Sequence, residues 1–309
     1  MKAVRIHIYG SSDVLKIENI PLPTILDDDV LIKIYATSVN PLDWKVREGL
    51  LQRMNLHKLP MTLGWDVSGV IEKIGDKVTK FKVGDEVFTR PALERDGSYA
   101  EYIAVRENEV AFKPKSLTHE ESAAIPLAGI TAWEVLIKTA HIKKEQRVLI
   151  HAASGGVGTI AVQLAKARGC YVIGTTSTAN VDLVKSLGVD EVIDYKNQNF
   201  SAIVKDVDVV FDTLGGEIQE KSWKILKKNG ILVSIVKQPN SESAQKYNVR
   251  YGYVFIKPDA EALTELVKMI DGGKIKPVVK TVLTLDEIKK AHDLSQSGRA
   301  KGKIIIKVV

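Results

Sequence analysis

Ala153, Gly155 and Gly158 fall in an A-x-G-x-x-G spacing within IHAASGGVGTIAVQLAKARGCYVIGTTSTAN, which runs from Ile150 to Asn180. Small residues at that spacing let the backbone turn sharply, come close to a pyrophosphate and seat a helix tightly on the strand before it. The N–H groups at the start of that helix then face the negative charge. RVLIHA (Arg147 to Ala152) reads as the buried strand and TIAVQLAKARG (Thr159 to Gly169) as the helix, with CYVIGTT as the next strand. Ser154, Gly155, Gly156, Val157 and Gly158 are the candidate pyrophosphate contacts. Ala152-x-Ser154-x-Gly156 also resembles a nucleophile elbow. The first glycine of that motif is missing, however, and paired glycines after Ser154 suit a phosphate better than an acyl group.

A site selective for NAD places Asp or Glu about 20 residues on, at the end of the second strand, to hold the ribose. Here that strand ends in Thr175, Thr176 and Ser177. Hydroxyls can hydrogen-bond a 2′-phosphate, whereas a carboxylate would repel it. NADPH/NADP+ is therefore the expected cofactor, although the next lysine, Lys185, comes eight residues after Ser177.

Two kinds of sequence surround this loop. Up to about residue 112, short strands alternate with turns, as in DVLIKIYATSV, GVIEKIG and GDEVFTR, and DVLIKIYATSV has the period-2 pattern of a half-buried strand. From about Ala124, strand-like runs alternate with helix-length segments (GTIAVQLAKARG, NVDLVKSLG, QEKSWKILKKNG), the mark of a helix-covered parallel sheet. The fold class is α/β: a β-rich unit from residues 1–123 and 273–309, and a doubly wound unit over residues 124–272. The chain has 309 residues, 45% of them hydrophobic, which is ample for two cores. The net charge of +6 comes from lysines interleaved with acids, and there is no aromatic–basic platform, so nucleic-acid binding is not expected. No apolar run approaches the roughly 18 residues of a membrane span, and the first residues lack a signal-peptide pattern, so a cytoplasmic protein is expected.

The motifs ATSVNPLDWKVREG, LGWDVSGVIEKIGDKVTKFKVGDEV, GSYAEYIAV, AAIPLAGITAWEVL, HAASGGVG, VIDY, FDTLGGE and GRAKGKIIIKV occur in an order that covers essentially the whole chain. They resemble the medium-chain dehydrogenase/reductase superfamily, and within it the zinc-independent quinone oxidoreductase branch. The resemblance implies a GroES-like β-rich catalytic domain, a Rossmann NADP-binding domain, an active site in the cleft and a homodimer. It places Asn40 beside the nicotinamide, where its amide could polarise a carbonyl. Asp43 and Lys45 follow as proton relay or carbonyl donor, or else as part of a solvated turn. Thr131, Leu214, Gly215, Ser234, Ile235 and Phe255 are implied near the nicotinamide half, Thr176, Ser177 and Tyr195 near the 2′-phosphate, and Lys303 as a further cofactor contact. Where relatives often carry a lysine after the second strand, this chain has Asn180 and Val181. YNVRYGYVF either lines a slot for a flat ring or packs a domain boundary.

Zinc-dependent members of the superfamily carry a cysteine where this chain has Asn40 and a histidine where it has Trp65. The single cysteine, Cys170, and the six histidines (His7, His57, His119, His141, His151, His292) supply no ligand set, so no metal is expected. Without a Lewis acid, hydride transfer favours acceptors that delocalise the incoming charge, namely quinones and α,β-unsaturated carbonyls. Two other readings share these residues: a non-catalytic NADPH sensor or scaffold, and a reductase with a secondary RNA-binding role. Turnover distinguishes the first, and a salt-sensitive RNA gel shift the second.

Overall fold

The computed structural model describes residues 1–54 and 58–309, so His57 lies outside the described residues. The chain divides into two units. The first comprises residues 1–127, 257–272 and 277–309, and the second residues 128–256 and 273–276.

The first unit is β-rich. Its strands are β1 (Lys2–Ile6), β2 (Lys16–Asn19), β3 (Asp29–Val39), β4 (Met61–Thr62), β5 (Val67–Ile74), β6 (Glu86–Thr89), β7 (Tyr102–Arg106) and β8 (Val110–Phe112). In the second unit run β9 (Arg147–Ile150), β10 (Tyr171–Thr176), β11 (Glu191–Asp194), β12 (Val207–Asp212), β13 (Leu226–Ser234) and β14 (Arg250–Tyr253). The chain then returns to the first unit with β15 (Val279–Thr284) and β16 (Lys303–Lys307).

The main β-rich sheet has the order β15-β16-β3-β5-β6-β8, with β7 also on β3, and β2-β1-β4 form a smaller sheet. The pairings of β3 with β5, β7 and β16 are antiparallel, whereas β15 and β16 run parallel. β3 is not half-buried: only Lys33 and Tyr35 along it reach solvent. It lies at the centre of the sheet. Val30, Ile32 and Ile34 pack with Val67, Ile71, Val87 and Val105, while Ala36 packs with Ala123, Ala124 and Ile305.

Residues 257–272, expected in the doubly wound unit, fold with the β-rich one. The Ala260–Asp271 helix contacts β8. At its end the Asp271 carboxylate accepts hydrogen bonds from the Ser116 N–H and Oγ at 3.0 and 2.7 Å. Its amphipathic spacing resembles that of any helix covering a parallel sheet, so periodicity alone could not assign it.

The second unit has a six-stranded sheet in the order β11-β10-β9-β12-β13-β14, all parallel. The chain winds outward from β9 in one direction and from β12 in the other. The loops after β9 and β12 therefore lie at the switch point, where open α/β sheets bind ligands. The core beneath includes Leu149, Ile173, Val210, Trp223 and Leu232. LKKNG, read from sequence as the end of a helix, belongs to β13. Asn229 there adopts a left-handed φ of 64°, and the pairing of β12 with β13 shifts between Val207 and Val209. This irregularity breaks the period-2 pattern that would have marked a strand.

Candidate functional site

In the β-rich unit, register brings polar residues together at one end of the sheet. Val39 pairs with Ile304, Ala36 with Ser68, and Val67 with Thr89. One residue beyond these pairs lie Asn40, Asp66 and Arg90, and Lys303 opens β16 beside Asn40. Asp66 is fully buried, Asn40 is 2% exposed and Lys303 4%.

The Asp66 carboxylate accepts from the Leu127 N–H at 2.6 Å, the Asn40 Nδ2 at 2.7 Å, the Lys303 Nζ at 3.2 Å and the Ser38 hydroxyl. Lys303 Nζ also donates to Asn40 Oδ1. Charge-assisted bonds of this kind are the strong ones, and they hold buried ions in place. Arg90, 2% exposed, donates from Nη1 to the Pro91 carbonyl at 3.2 Å, while its buried Nε has no partner.

Asn40 caps the Pro41–Arg47 helix, with proline at the first helical position where its missing N–H costs nothing. Asp43, three residues on, turns back so that Oδ2 accepts from the Asn40 N–H at 2.7 Å and from the Tyr99 hydroxyl at 2.6 Å. Oδ1 has no partner. Burial pushes the Asp43 carboxyl up to about 7, against the pull of Tyr99, the Asn40 N–H and Lys303. Asp43 thus faces the interior. Lys45 does not join this cluster. Its ammonium lies 5.6 Å from the Trp44 ring, and partial burial lowers its pKa.

In the α/β unit, the loop after β9 leads into the Gly156–Ala167 helix with Gly155 as its cap. A Cβ on Gly158 would lie 2.2 Å from the Ala152 carbonyl oxygen and 2.8 Å from the Ala153 Cα, so only glycine fits. Ser154 Oγ accepts from Thr176 Oγ1 at 2.9 Å and from Asn180 Nδ2 at 3.2 Å. Asn180 also reaches Ser177 Oγ at 3.3 Å, and its buried Oδ1 has no partner. Thr176 spends its hydroxyl proton on Ser154, so the Ser154 and Ser177 hydroxyls and the first N–H groups of a helix make a donor set suited to phosphate. Asp194, opposite Thr176 in the register, is committed to Thr178 Oγ1, Asn197 Nδ2 and the Lys196 N–H.

After β12, Asp212 gathers the segment expected near the nicotinamide. It accepts from the Leu214 and Gly215 N–H groups at 3.0 and 2.8 Å, from Gln219 Nε2 at 2.9 Å and from Ser234 Oγ at 2.8 Å. The Asp212 carbonyl accepts from the Ile235 N–H at 3.2 Å. Leu214, Gly215, Ser234 and Ile235 are thus brought together. Phe255 and Tyr195 are exposed, and Thr131 is buried within the Pro126–Trp133 helix.

Sequence reasoning missed Asp66, Tyr99 and Arg90 as site residues. A lone acid in the apolar run LGWDVSGV was the available signal for Asp66. Among the described histidines, His151 is buried between Thr175 and Ser222 with its pKa pushed down to about 4 by burial, and His292 has its pKa pushed down to about 3 by burial and, after that, by the neighbouring Arg47. Among the described residues, no group of three His, Cys, Asp or Glu side chains could hold a metal ion.

Residues 26–115 match the alcohol dehydrogenase GroES-like domain and residues 187–306 the zinc-binding dehydrogenase domain. A 2-methylene-furan-3-one reductase of Solanum lycopersicum is 39% identical, across 99% of this chain and 79% of its own. A chloroplastic NADPH-dependent alkenal/one oxidoreductase of Arabidopsis thaliana is 36% identical, with the same coverage of 99% and 79%. The structure of the quinone oxidoreductase from Coxiella burnetii superposes with a TM-score of 0.94 at 33% identity, covering 100% of this chain and 99% of that one. The chain belongs to the medium-chain dehydrogenase/reductase superfamily, among its quinone oxidoreductases and enone reductases.

Two outcomes follow from this geometry. Gly158→Ala is expected to weaken dinucleotide binding by about tenfold or more, because strand or helix must shift. Fluorescence titration with the reduced dinucleotide measures this, and an unchanged Kd rejects the close approach. Asp43 carries a pH dependence of stability. In the unfolded chain its carboxyl ionises near 3.8, but in the folded one only near 7, so stability falls as pH rises between these values, by at most about 4 kcal/mol. Asp43→Asn should therefore gain on the wild type from pH 5 to 8 in urea melts. Parallel curves would show that the carboxyl titrates normally.

Proposed function

We propose that this protein is an NADPH-dependent reductase that transfers hydride to quinones or α,β-unsaturated carbonyls without zinc, and that it works as a homodimer. The observation that carries this reading is the lysine–amide–carboxylate cluster at Asn40, Asp66 and Lys303. It offers a fixed hydrogen-bond donor to an oxygen that gains charge. The names of the tomato and Arabidopsis relatives point to the same acceptor class.

NADPH supplies the hydride when bound. Ser154 and the first N–H groups of the Gly156–Ala167 helix would hold its pyrophosphate. The Ser177 hydroxyl would meet the 2′-phosphate, with the Thr176 hydroxyl bound behind it to Ser154, which supports NADPH over NADH. Asp212 fixes the Leu214–Gly215 turn and Ser234 for the nicotinamide half. In the β-rich unit, Asn40 Nδ2 would donate to the acceptor oxygen. Quinones and enones spread the added charge over a conjugated system, so they ask less of that donor than a simple ketone, which needs a stronger acid or a metal at its oxygen.

The residues do not fit zinc. Trp65 has no ligating atom, the Asn40 amide oxygen is taken by Lys303, and the Asp66 carboxylate already holds an ammonium that would repel a dication. The homodimer reading is supported by β14, which pairs with β13 on one side and carries exposed Tyr251 and Tyr253. Unpaired strand edges invite pairing.

The test is oxidation of NADPH, set beside NADH, with a panel of quinones and an alkenal, followed by loss of the nicotinamide absorbance with and without EDTA. NADPH-preferring turnover that EDTA leaves unchanged is expected. Tight NADPH binding with no turnover on any acceptor would reject the reductase in favour of a sensor.

A further inference from the structure

We infer that Lys303 and Asp66 are positioning residues that decide which end of the Asn40 amide a ligand meets. Through them the site selects ligand groups that accept a hydrogen bond, such as a carbonyl or enolate oxygen, over groups that donate one. This deepens the reductase reading and rests on Asn40 being the group that meets the acceptor.

A carboxamide has two nearly isosteric ends, one accepting and one donating, so only its neighbours can set its orientation. The neighbours of Asn40 leave no choice. An ammonium only donates, and Lys303 Nζ lies on Oδ1. An ionised carboxylate only accepts, and Asp66 Oδ2 lies on Nδ2 at 2.7 Å. Flipping the amide would set N–H against ammonium and oxygen against carboxylate, with almost no solvent to relieve either. Neither neighbour can rotate away, because Asp66 is also held by Ser38 and the Leu127 N–H, and Lys303 spans both Asn40 and Asp66.

The sheet register makes the arrangement rigid. The pairs Val39–Ile304 and Ala36–Ser68 put Lys303 on one side of the end of β3 and Asp66 on the other. Asn40 therefore keeps one Nδ2 hydrogen beyond the one given to Asp66, and that hydrogen is the polar atom it can offer. The ammonium on Oδ1 draws electron density from the amide and strengthens that donor.

The experiment compares Lys303→Met, Lys303→Arg and the paired variant K303M/D66N, which removes both charges together and leaves no buried ion alone. Each is made with Asn40 intact and with Asn40→Ala. If Lys303 acts through Asn40, Lys303→Met should lower kcat with a quinone or enone by about tenfold or more while the NADPH Kd moves less than about twofold. In the Asn40→Ala background the same change should cost less than about twofold, and Lys303→Arg should restore part of the loss. Equal losses in both backgrounds, or a loss carried wholly by weaker NADPH binding, would overturn the inference and make Lys303 a direct cofactor contact.

A second readout needs no turnover, so it separates this idea from the reductase reading. In proton–nitrogen NMR, the two Asn40 side-chain hydrogens should exchange with solvent at different rates, the one on Asp66 more slowly. The paired variant should erase that difference. Matching spectra for wild type and paired variant would sink the inference even if the enzyme is active. A change in an enzyme with no turnover would uphold the positioning and reject only the reductase.

Discussion

A carboxylate removed from water must find its hydrogen bonds inside the protein, and Asp66 collects four of them from segments far apart in sequence. Leaving such a group unpaired costs more than a typical bond gains, so everything that touches it is held to one arrangement. The end of β3, the start of β16 and the backbone at Leu127 all meet at this carboxylate. Their geometry in turn sets the orientation of Asn40.

The α/β unit uses the same device. Asp212 ends β12 as Asp66 precedes β5, and it too accepts four hydrogen bonds, from the Leu214 and Gly215 backbone, Gln219 and Ser234. Both carboxylates stand at strand ends, where the backbone runs out of ladder partners. Each replaces the missing ladder partners with hydrogen bonds to its own carboxylate.

Much of this was legible in the sequence because it is local. The turn from Ala153 to Gly158, its flanking strand and helix and the alternation of strands with helices all follow from spacing over a few residues. The Asp66 cluster is not local: Lys303 lies 263 positions from Asn40 and 237 from Asp66, and only the sheet register joins them. Asp43 shows the converse. In PLDWK it reads as a charged turn, yet the capping geometry folds its carboxyl inward onto Tyr99. The Ala260–Asp271 helix was misassigned because amphipathicity shows that a face is buried and not against what. β3 reads as half-buried because its few polar residues mimic a solvent side, whereas at the centre of the sheet both of its faces are covered.

The interleaving of the two units also gives the site an order of assembly. The α/β unit is built from one nearly continuous stretch, residues 128–256, so its contacts can form as soon as that stretch leaves the ribosome. Asn40 and Asp66 are made long before, but their ammonium arrives only with β16. Until then the chain carries a buried-type carboxylate with no cation, an arrangement that opposes closure of the sheet around it. The β-rich core and the polar cluster therefore both require β16 in place. Both depend on one pairing, between β3 and β16, strands far apart along the chain that end up side by side.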